Sequence, residues 1–93
     1  MYPRILEQIR ALVKQGEYVL SVHAENEMAE DRFTEEDIEA AIFNGSIVRR
    51  ETDRVGRPKY VIEGKAQDGR GLTAVAQRFQ TRRLVVIITA YET

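Results

Sequence analysis

The sequence contains no cysteine, no tryptophan and a single histidine, His23. Without cysteine, the chain holds neither a disulfide nor a thiolate nucleophile, and zinc sites built on cysteine ligands are excluded. It also lacks the glycine-rich loops that bind the phosphates of nucleotide cofactors, and no serine has the sharp-turn context of a hydrolase nucleophile. We therefore predict a protein with no metal site and no cofactor.

Long apolar segments are missing as well. The longest uninterrupted run is Leu84–Ile88, far shorter than the roughly 20 residues that a membrane-spanning helix needs. Residues 1–16 carry a charge every few positions, so they lack the apolar segment of a secretory signal peptide. We expect a cytoplasmic protein with no membrane partner.

Charge is distributed unevenly, although the formal net charge is only −1. Residues 1–48 carry four basic and ten acidic side chains, whereas residues 49–93 carry ten basic and five acidic ones. A basic half favours the binding of a polyanion. The alternative is that the two halves neutralise each other across their interface, and composition alone leaves both interpretations open.

A first helix is predicted near the N-terminus. Pro3 suits a first helical turn, and Gly16 suits the position that follows the end of a helix. Between them, apolar side chains recur with a period of 3.6 residues. This stripe consists of Ile5, Leu6, Ile9, Leu12 and Val13. The segment Tyr18–Ser21 is interpreted as a short extended link.

Two further helices are predicted from their N-caps, Ser21 and Thr34. A short hydroxyl side chain accepts a hydrogen bond from a backbone N–H of the first turn. Ser21 would begin a helix running to about Asp31. Thr34 would begin another, with three acids in its first turn, where the helix dipole favours them, and Asn44-Gly45 would end it.

From Ser46 onward the pattern is typical of strands. Four are predicted: one from Ile47, one at Lys59–Lys65, one at Leu72–Phe79 and one at Leu84–Tyr91. Asp68-Gly69 is a strong hairpin signal, and short connections favour antiparallel pairing. We predict one α+β domain, residues 1–93, in which two or three helices cover one face of a four-stranded antiparallel meander.

Several short motifs occur in an order that resembles a small bacterial family, domain of unknown function 4258. The first half contributes Ser21-x-His23-Ala24, Met28, an acid and an arginine within residues 30–32, Thr34–Ile38 and Asn44-Gly45. The second half contributes Arg57-Pro58, Tyr60–Gly64, Asp68–Arg70 and Ile87–Tyr91. Together these motifs cover roughly residues 18–92.

The resemblance implies a toxin-like fold, shared with barnase and RelE-type ribonucleases, and a place in a bacterial toxin–antitoxin pair, often beside a small zinc-finger antitoxin. It makes His23 a candidate catalytic group, with Arg70, Thr89 and Tyr91 as companions on the sheet. Two departures bear on catalysis. Many relatives carry an arginine where this chain has Glu27, and many carry a second histidine where it has Thr73.

The residue types suit RNA cleavage without a metal. That chemistry needs a base for the 2′-hydroxyl, a cation for the phosphate and an acid for the leaving oxygen. His23 would transfer protons, Arg70 or Arg78 would hold the phosphate, and Tyr91 would stack on a base or donate a proton. Lys59, Arg78 and Thr89 are the predicted RNA contacts.

The same residues have interpretations without chemistry. A lone histidine near the start of a helix is most often a partly exposed side chain, Thr89 fits ordinary strand propensity, and Arg82-Arg83 fit a solvated turn. Our preferred hypothesis is a cytoplasmic toxin acting as a metal-independent endoribonuclease. The alternative is a non-catalytic protein-interaction module on the same scaffold. Exposed edge strands also permit a homodimer.

Overall fold

The computed structural model describes residues 2–93, which contain three helices and five strands. In chain order they are α1 (Pro3–Lys14), β1 (Tyr18–Leu20), α2 (Val22–Asp31), α3 (Glu35–Asn44), β2 (Ser46–Thr52), β3 (Pro58–Lys65), β4 (Gly71–Phe79) and β5 (Leu84–Glu92). The predicted α+β class is confirmed, with all three helices preceding the four strands of the meander.

The helices begin where the sequence predicts. Ser21 Oγ accepts the Ala24 N–H at 3.0 Å, which caps α2. Thr34 and Asp37 form a reciprocal capping box at the start of α3. The second carboxylate oxygen of Asp37 accepts the Gln67 N–H at 3.0 Å, so α3 is tied to the β3–β4 turn. These hydrogen bonds, foremost that from the Thr34 N–H, lower the pKa of Asp37.

The strands form a mixed sheet in the order β1-β5-β4-β3-β2. Strands β2 to β5 are the predicted antiparallel meander. The prediction of a wholly antiparallel sheet of four strands is wrong in one respect, because Tyr18–Leu20 is a fifth strand that pairs in parallel with β5. This pairing joins two segments more than 60 residues apart, so rules that pair consecutive strands do not find it.

The core lies between the helices and one face of the sheet, which we call the covered face. Its largest fully buried side chains include Ile9 of α1, Ile38 and Ile42 of α3, Ile62 of β3 and Ile87 of β5. Tyr18 ties β1 to α3, since its hydroxyl donates to Glu39 Oε2 at 2.6 Å. Burial and the neighbouring carboxylates raise the pKa of Tyr18, which keeps this hydroxyl a donor.

The opposite face of the sheet, the open face, is not covered by the helices. It carries Val61 of β3, Thr73 and Val75 of β4, and Thr89 and Tyr91 of β5, which are neighbours across the strands. Thr73 is only 2% exposed, because Thr93 lies against it with the two hydroxyl oxygens 2.6 Å apart. The side chains at the centre of the open face, Val61, Thr73 and Val75, are therefore small and expose little polar surface.

Helix α3 approaches β3 so closely that a glycine is required. A Cβ atom added at Gly64 would overlap the carbonyl oxygen of Ala41. Next to this contact, the Asn44 side chain acts as a short piece of strand, because its Oδ1 accepts the Lys65 N–H at 2.8 Å and its Nδ2 donates to the Lys65 carbonyl at 2.9 Å. Asn44 and Gly64 thus fix the end of α3 on the sheet.

Strand β1 pairs with residues 85–87 of β5, and helix α2 lies along the same edge of β5 beyond them. A β-bulge in β5 between Ile87 and Thr89 turns the following N–H groups towards this helix. Glu27 then accepts the Ala90 N–H at 3.1 Å, and Asp31 accepts the Glu92 N–H at 2.8 Å. Two carboxylates one helical turn apart thereby satisfy an edge that has no neighbouring strand.

Candidate nucleic-acid interface

Two hairpin turns meet at one end of the sheet. They are the β2–β3 turn, residues 53–57, and the β4–β5 turn, residues 80–83, which follows the last residues of β4. Together with residues 78 and 79, these turns carry five arginines and one acid, Asp53. The arginines, which we call the arginine-rich end, are Arg54, Arg57, Arg78, Arg82 and Arg83. A surplus of cations at one end favours an anionic ligand.

Asp53 orders the first of these turns. One carboxylate oxygen accepts the Val55 and Arg57 N–H groups at 3.0 and 2.9 Å, and the other accepts Gln77 Nε2 at 2.9 Å. The Gln77 bond, together with these backbone bonds, lowers the pKa of Asp53, which therefore stays charged. The Arg57 backbone is consequently fixed in the turn, and its guanidinium carbon lies 5.6 Å from the centre of the Phe79 ring.

A cleft lies on each side of the β4–β5 turn. On the open face, Arg57, Phe79 and Arg82 are among the residues that line a cleft of about 400 Å³. On the covered face, Arg78 and Arg83 line one of about 250 Å³ together with residues of α1. This end therefore offers cations and a concave surface, the combination with which proteins bind the phosphates and bases of a flexible nucleic acid.

Arg70, the first predicted cation, lies at the opposite end of the sheet, and its guanidinium donates hydrogen bonds to protein groups. Its guanidinium donates to the carbonyls of Asp31 and Arg32 at 2.6 and 3.1 Å and to Asp68 Oδ2 at 2.9 Å. It also lies over the Phe33 ring, 4.3 Å from the ring centre. The Arg70 side chain therefore holds the end of α2 against the β3–β4 turn, and in this chain its donors are directed to protein groups.

His23, the predicted catalytic group, lies on α2 beside the edge of β5. Its side chain is 67% exposed, and Nε2 is 3.4 Å from Glu27 Oε1. Because Glu27 is held by the Ala90 N–H, the carboxylate offers the imidazole a fixed neighbour. The helix rises about 12 Å between His23 and the end of α2 at Asp31, which Arg70 contacts, so the imidazole and this guanidinium do not share a site.

The other predicted residues are divided between the two faces. Thr89 and Tyr91 lie on the open face of β5, and Tyr91 is 36% exposed. Lys59 lies near the start of β3, across from Glu51, and Arg78 lies on the covered face beside α1. Of the six predicted residues, Arg78 therefore belongs to the arginine-rich end and Lys59 lies close to it, whereas His23, Arg70, Thr89 and Tyr91 do not.

Four arginines of this end were not predicted as ligands: Arg54, Arg57, Arg82 and Arg83. They fall in turns, where charged residues usually face only water. These arginines could have been found from the predicted order of the strands. A meander brings its first and third turns, here the β2–β3 and β4–β5 turns, to the same end of the sheet. Combined with the basic charge of residues 49–93, that order would have pointed to this end.

The two departures from the family pattern have structural partners here. Glu27 accepts the Ala90 N–H, and Thr73 is buried against Thr93. Both residues therefore have structural roles in this chain, and a site that depends on cations at these two positions does not fit it.

Comparison with family models matches residues 20–92 to the family described as "Domain of unknown function (DUF4258)". No curated protein gives a significant match, and neither does any solved structure. Within residues 2–93, no helix has the length and apolar character needed to cross a membrane. The same residues contain no group of three or more metal-ligating side chains placed to hold an ion.

Proposed function

The chain belongs to the DUF4258 family, and on that premise we propose that it is a toxin-type protein that binds RNA through its arginine-rich end. A barnase- or RelE-like mode of action, with a protein antitoxin as partner, belongs to the same proposal. The observation that carries it is the gathering of five arginines and one acid at one end of the sheet, where four of the arginines line two clefts.

Several features of this end suit RNA. Arginine binds phosphate through a planar fork of donors and remains charged at any physiological pH. The ordered β2–β3 turn holds the Arg57 backbone in place before a ligand arrives, which reduces the backbone entropy lost on binding. Phe79 and the apolar wall of its cleft offer a surface on which a base can stack. Single-stranded RNA is flexible enough to enter both clefts.

RNA cleavage is the second candidate, and it is favoured by the exposed His23–Glu27 pair. Leu84 lies next to the arginine-rich end, and the carbonyl of Ile88 accepts a hydrogen bond from Ser21, the N-cap of α2. Four residue steps along β5 join Leu84 to Ile88, which corresponds to about 13 Å. A strand of RNA held at the arginine-rich end would reach that far along the edge of the sheet. His23 would then transfer protons at a phosphate bound at a distance from the main contacts.

The binding proposal is tested with a variant that carries Arg54→Gln, Arg57→Gln and Arg82→Gln. A control variant with Arg4→Gln, Arg50→Gln and Lys65→Gln loses the same charge at exposed positions elsewhere. Anisotropy of a labelled single-stranded RNA is measured over a range of KCl concentrations. We expect the first variant to bind at least about tenfold more weakly and with a salt slope shallower by about 0.7 for each phosphate that it no longer neutralises.

The control variant should keep most of the wild-type affinity. Equal affinity of both variants would show that the arginine-rich end has no special role, and wild-type protein without salt-dependent binding would overturn the proposal. Growth after induction in bacteria tests the toxin part. Arrest by wild type that the first variant relieves supports RNA as the target, and arrest lost in His23→Ala at unchanged RNA affinity supports cleavage. A harmless wild type would count against a toxin.

A further inference from the structure

The cleft on the covered face contains an unusual pair of polar atoms. Gln8 of α1 and Arg78 of β4 both line a cleft of about 250 Å³ that Arg83 also lines. Gln8 Oε1 and Arg78 Nε are both buried and have no hydrogen-bond partner. Among residues 2–93, no other buried side-chain atoms lack a partner. Because buried polar groups are nearly always satisfied, two unpaired atoms on residues that line the same cleft favour a ligand that pairs with both.

The chemistry of the two atoms restricts what that ligand can be. Gln8 Oε1 accepts a hydrogen bond and Arg78 Nε donates one, so a complementary ligand carries a donor and an acceptor close together. A free phosphate is mainly an acceptor, so it would pair with Arg78 and could reach Gln8 only through its remaining P–OH group, while an apolar molecule would satisfy neither atom. Ala11 and Leu12 add an apolar wall, and Arg83 adds a cation at the turn.

We propose that this cleft binds one unpaired nucleotide of RNA, with the hydrogen-bonding edge of its base against Gln8 and Arg78 and its phosphate against Arg83. This inference rests on the proposed function and deepens it. Every nucleobase presents a donor and an acceptor next to each other on its pairing edge, which is free only in a single strand. The site therefore discriminates against duplex RNA, in which both groups are already paired.

The experiment titrates a nucleoside 5′-monophosphate, the matching nucleoside and inorganic phosphate into the full chain labelled with ¹⁵N. Binding is followed by shifts of the Gln8 side-chain amide and of the Arg78 Nε–H signal. Gln8→Leu removes the acceptor, and Gln15→Leu makes the same change at an exposed position beyond the same helix. We expect Gln8→Leu to weaken monophosphate binding about tenfold and Gln15→Leu to leave it unchanged.

A second variant, Arg83→Asn, tests the phosphate contact. Asparagine tolerates the left-handed backbone of this position, where φ is 50°, so the turn is retained. We expect this variant to bind the monophosphate more weakly and the nucleoside with unchanged affinity. Gln8→Met is measured in parallel with thermal unfolding, so that loss of binding is separated from loss of folding.

Three results would overturn the inference: equal monophosphate affinity in the Gln8 variants and in wild type, shifts caused by inorganic phosphate alone, or equal affinity for single-stranded and duplex RNA. The proposed function can stand when this inference fails. If the triple arginine variant loses RNA binding while Gln8→Leu binds RNA as wild type does, the arginine-rich end binds RNA and the cleft does not bind a base.

Discussion

The two ends of the sheet use arginine in opposite ways. At the end formed by the β3–β4 turn, Arg70 directs its donors to Asp68 and to two carbonyls at the end of α2. At the other end, the arginines of the β4–β5 turn line clefts, and Arg78 Nε has no partner. We refer to the first region as the anchored end. The comparison teaches that the number of arginines matters less than whether the protein already satisfies them.

The largest expected effect lies at the anchored end, where Gly64 is replaced by alanine. The added Cβ overlaps the Ala41 carbonyl oxygen, so α3 must move away from β3 and the Asn44–Lys65 bonds weaken. We expect the free energy of unfolding to fall by about 3 kcal/mol, measured by urea titration. Gly71→Ala is the control, because its nearest neighbour is the side chain of Thr93 at the end of the chain. If both variants lost the same free energy of unfolding, α3 could move away from β3 at little cost and the close contact at Gly64 would not be important for stability.

An intermediate effect is expected from Asp37→Asn, which weakens the capping box and the bond to Gln67. At pH 7 we expect a loss of about 2 kcal/mol, since hydrogen bonds to a buried charged group are broken or weakened. The matched control is Glu36→Gln, which removes an exposed acid from the same helical turn.

The pH dependence of this variant follows from the sign of the shift. The pKa of Asp37 is lower in the folded protein than the ordinary value of an aspartate, 3.8, because of its hydrogen bonds. Its contribution to stability is therefore fully present above about pH 5 and is lost as the pH falls through the folded pKa. Urea titrations from pH 7 down to pH 2 should show wild type and Asp37→Asn converging. A constant difference over this range would mean that the charge of Asp37 does not contribute.

The smallest effects come from single arginines, and they compare the two ends directly. Arg70→Ala removes the donors of two carbonyls and uncovers Phe33, so we expect a lower Tm and unchanged RNA affinity. Arg82→Ala should keep the Tm within about 3 °C of wild type. Its salt slope for RNA binding should be shallower by about 0.7. The same outcome for both variants, in either measurement, would remove the distinction between the ends.

Much of the fold follows from local sequence patterns. The caps at Ser21 and Thr34, the helix stop at Asn44-Gly45 and the meander of β2 to β5 were all predicted, because each depends on residues close in the chain. Strand β1 was missed because three residues carry too little pattern to identify a strand. Its partner is also the last strand of the chain, so only the folded sheet brings the two together.

The candidate site was less predictable. Arg70 belongs to a conspicuous turn motif, and its residue type suggested phosphate binding, but its partners are carbonyls of α2 that no spacing in the sequence relates to it. Residue type shows what a side chain can bind, whereas its neighbours decide whether it is available. For the same reason Arg54 was not singled out and Arg82 was interpreted as part of a solvated turn, because a turn arginine becomes part of a larger surface only when another turn lies beside it.

The carboxylates that α2 presents to β5 have a consequence for the behaviour of the protein at high concentration. An uncovered strand edge is a template on which other chains add strands and begin to aggregate. Here Glu27 and Asp31 occupy the Ala90 and Glu92 N–H groups, so an incoming chain would first have to peel the helix away. The helix that presents the lone imidazole to solvent thus also protects the last strand against amyloid-like growth.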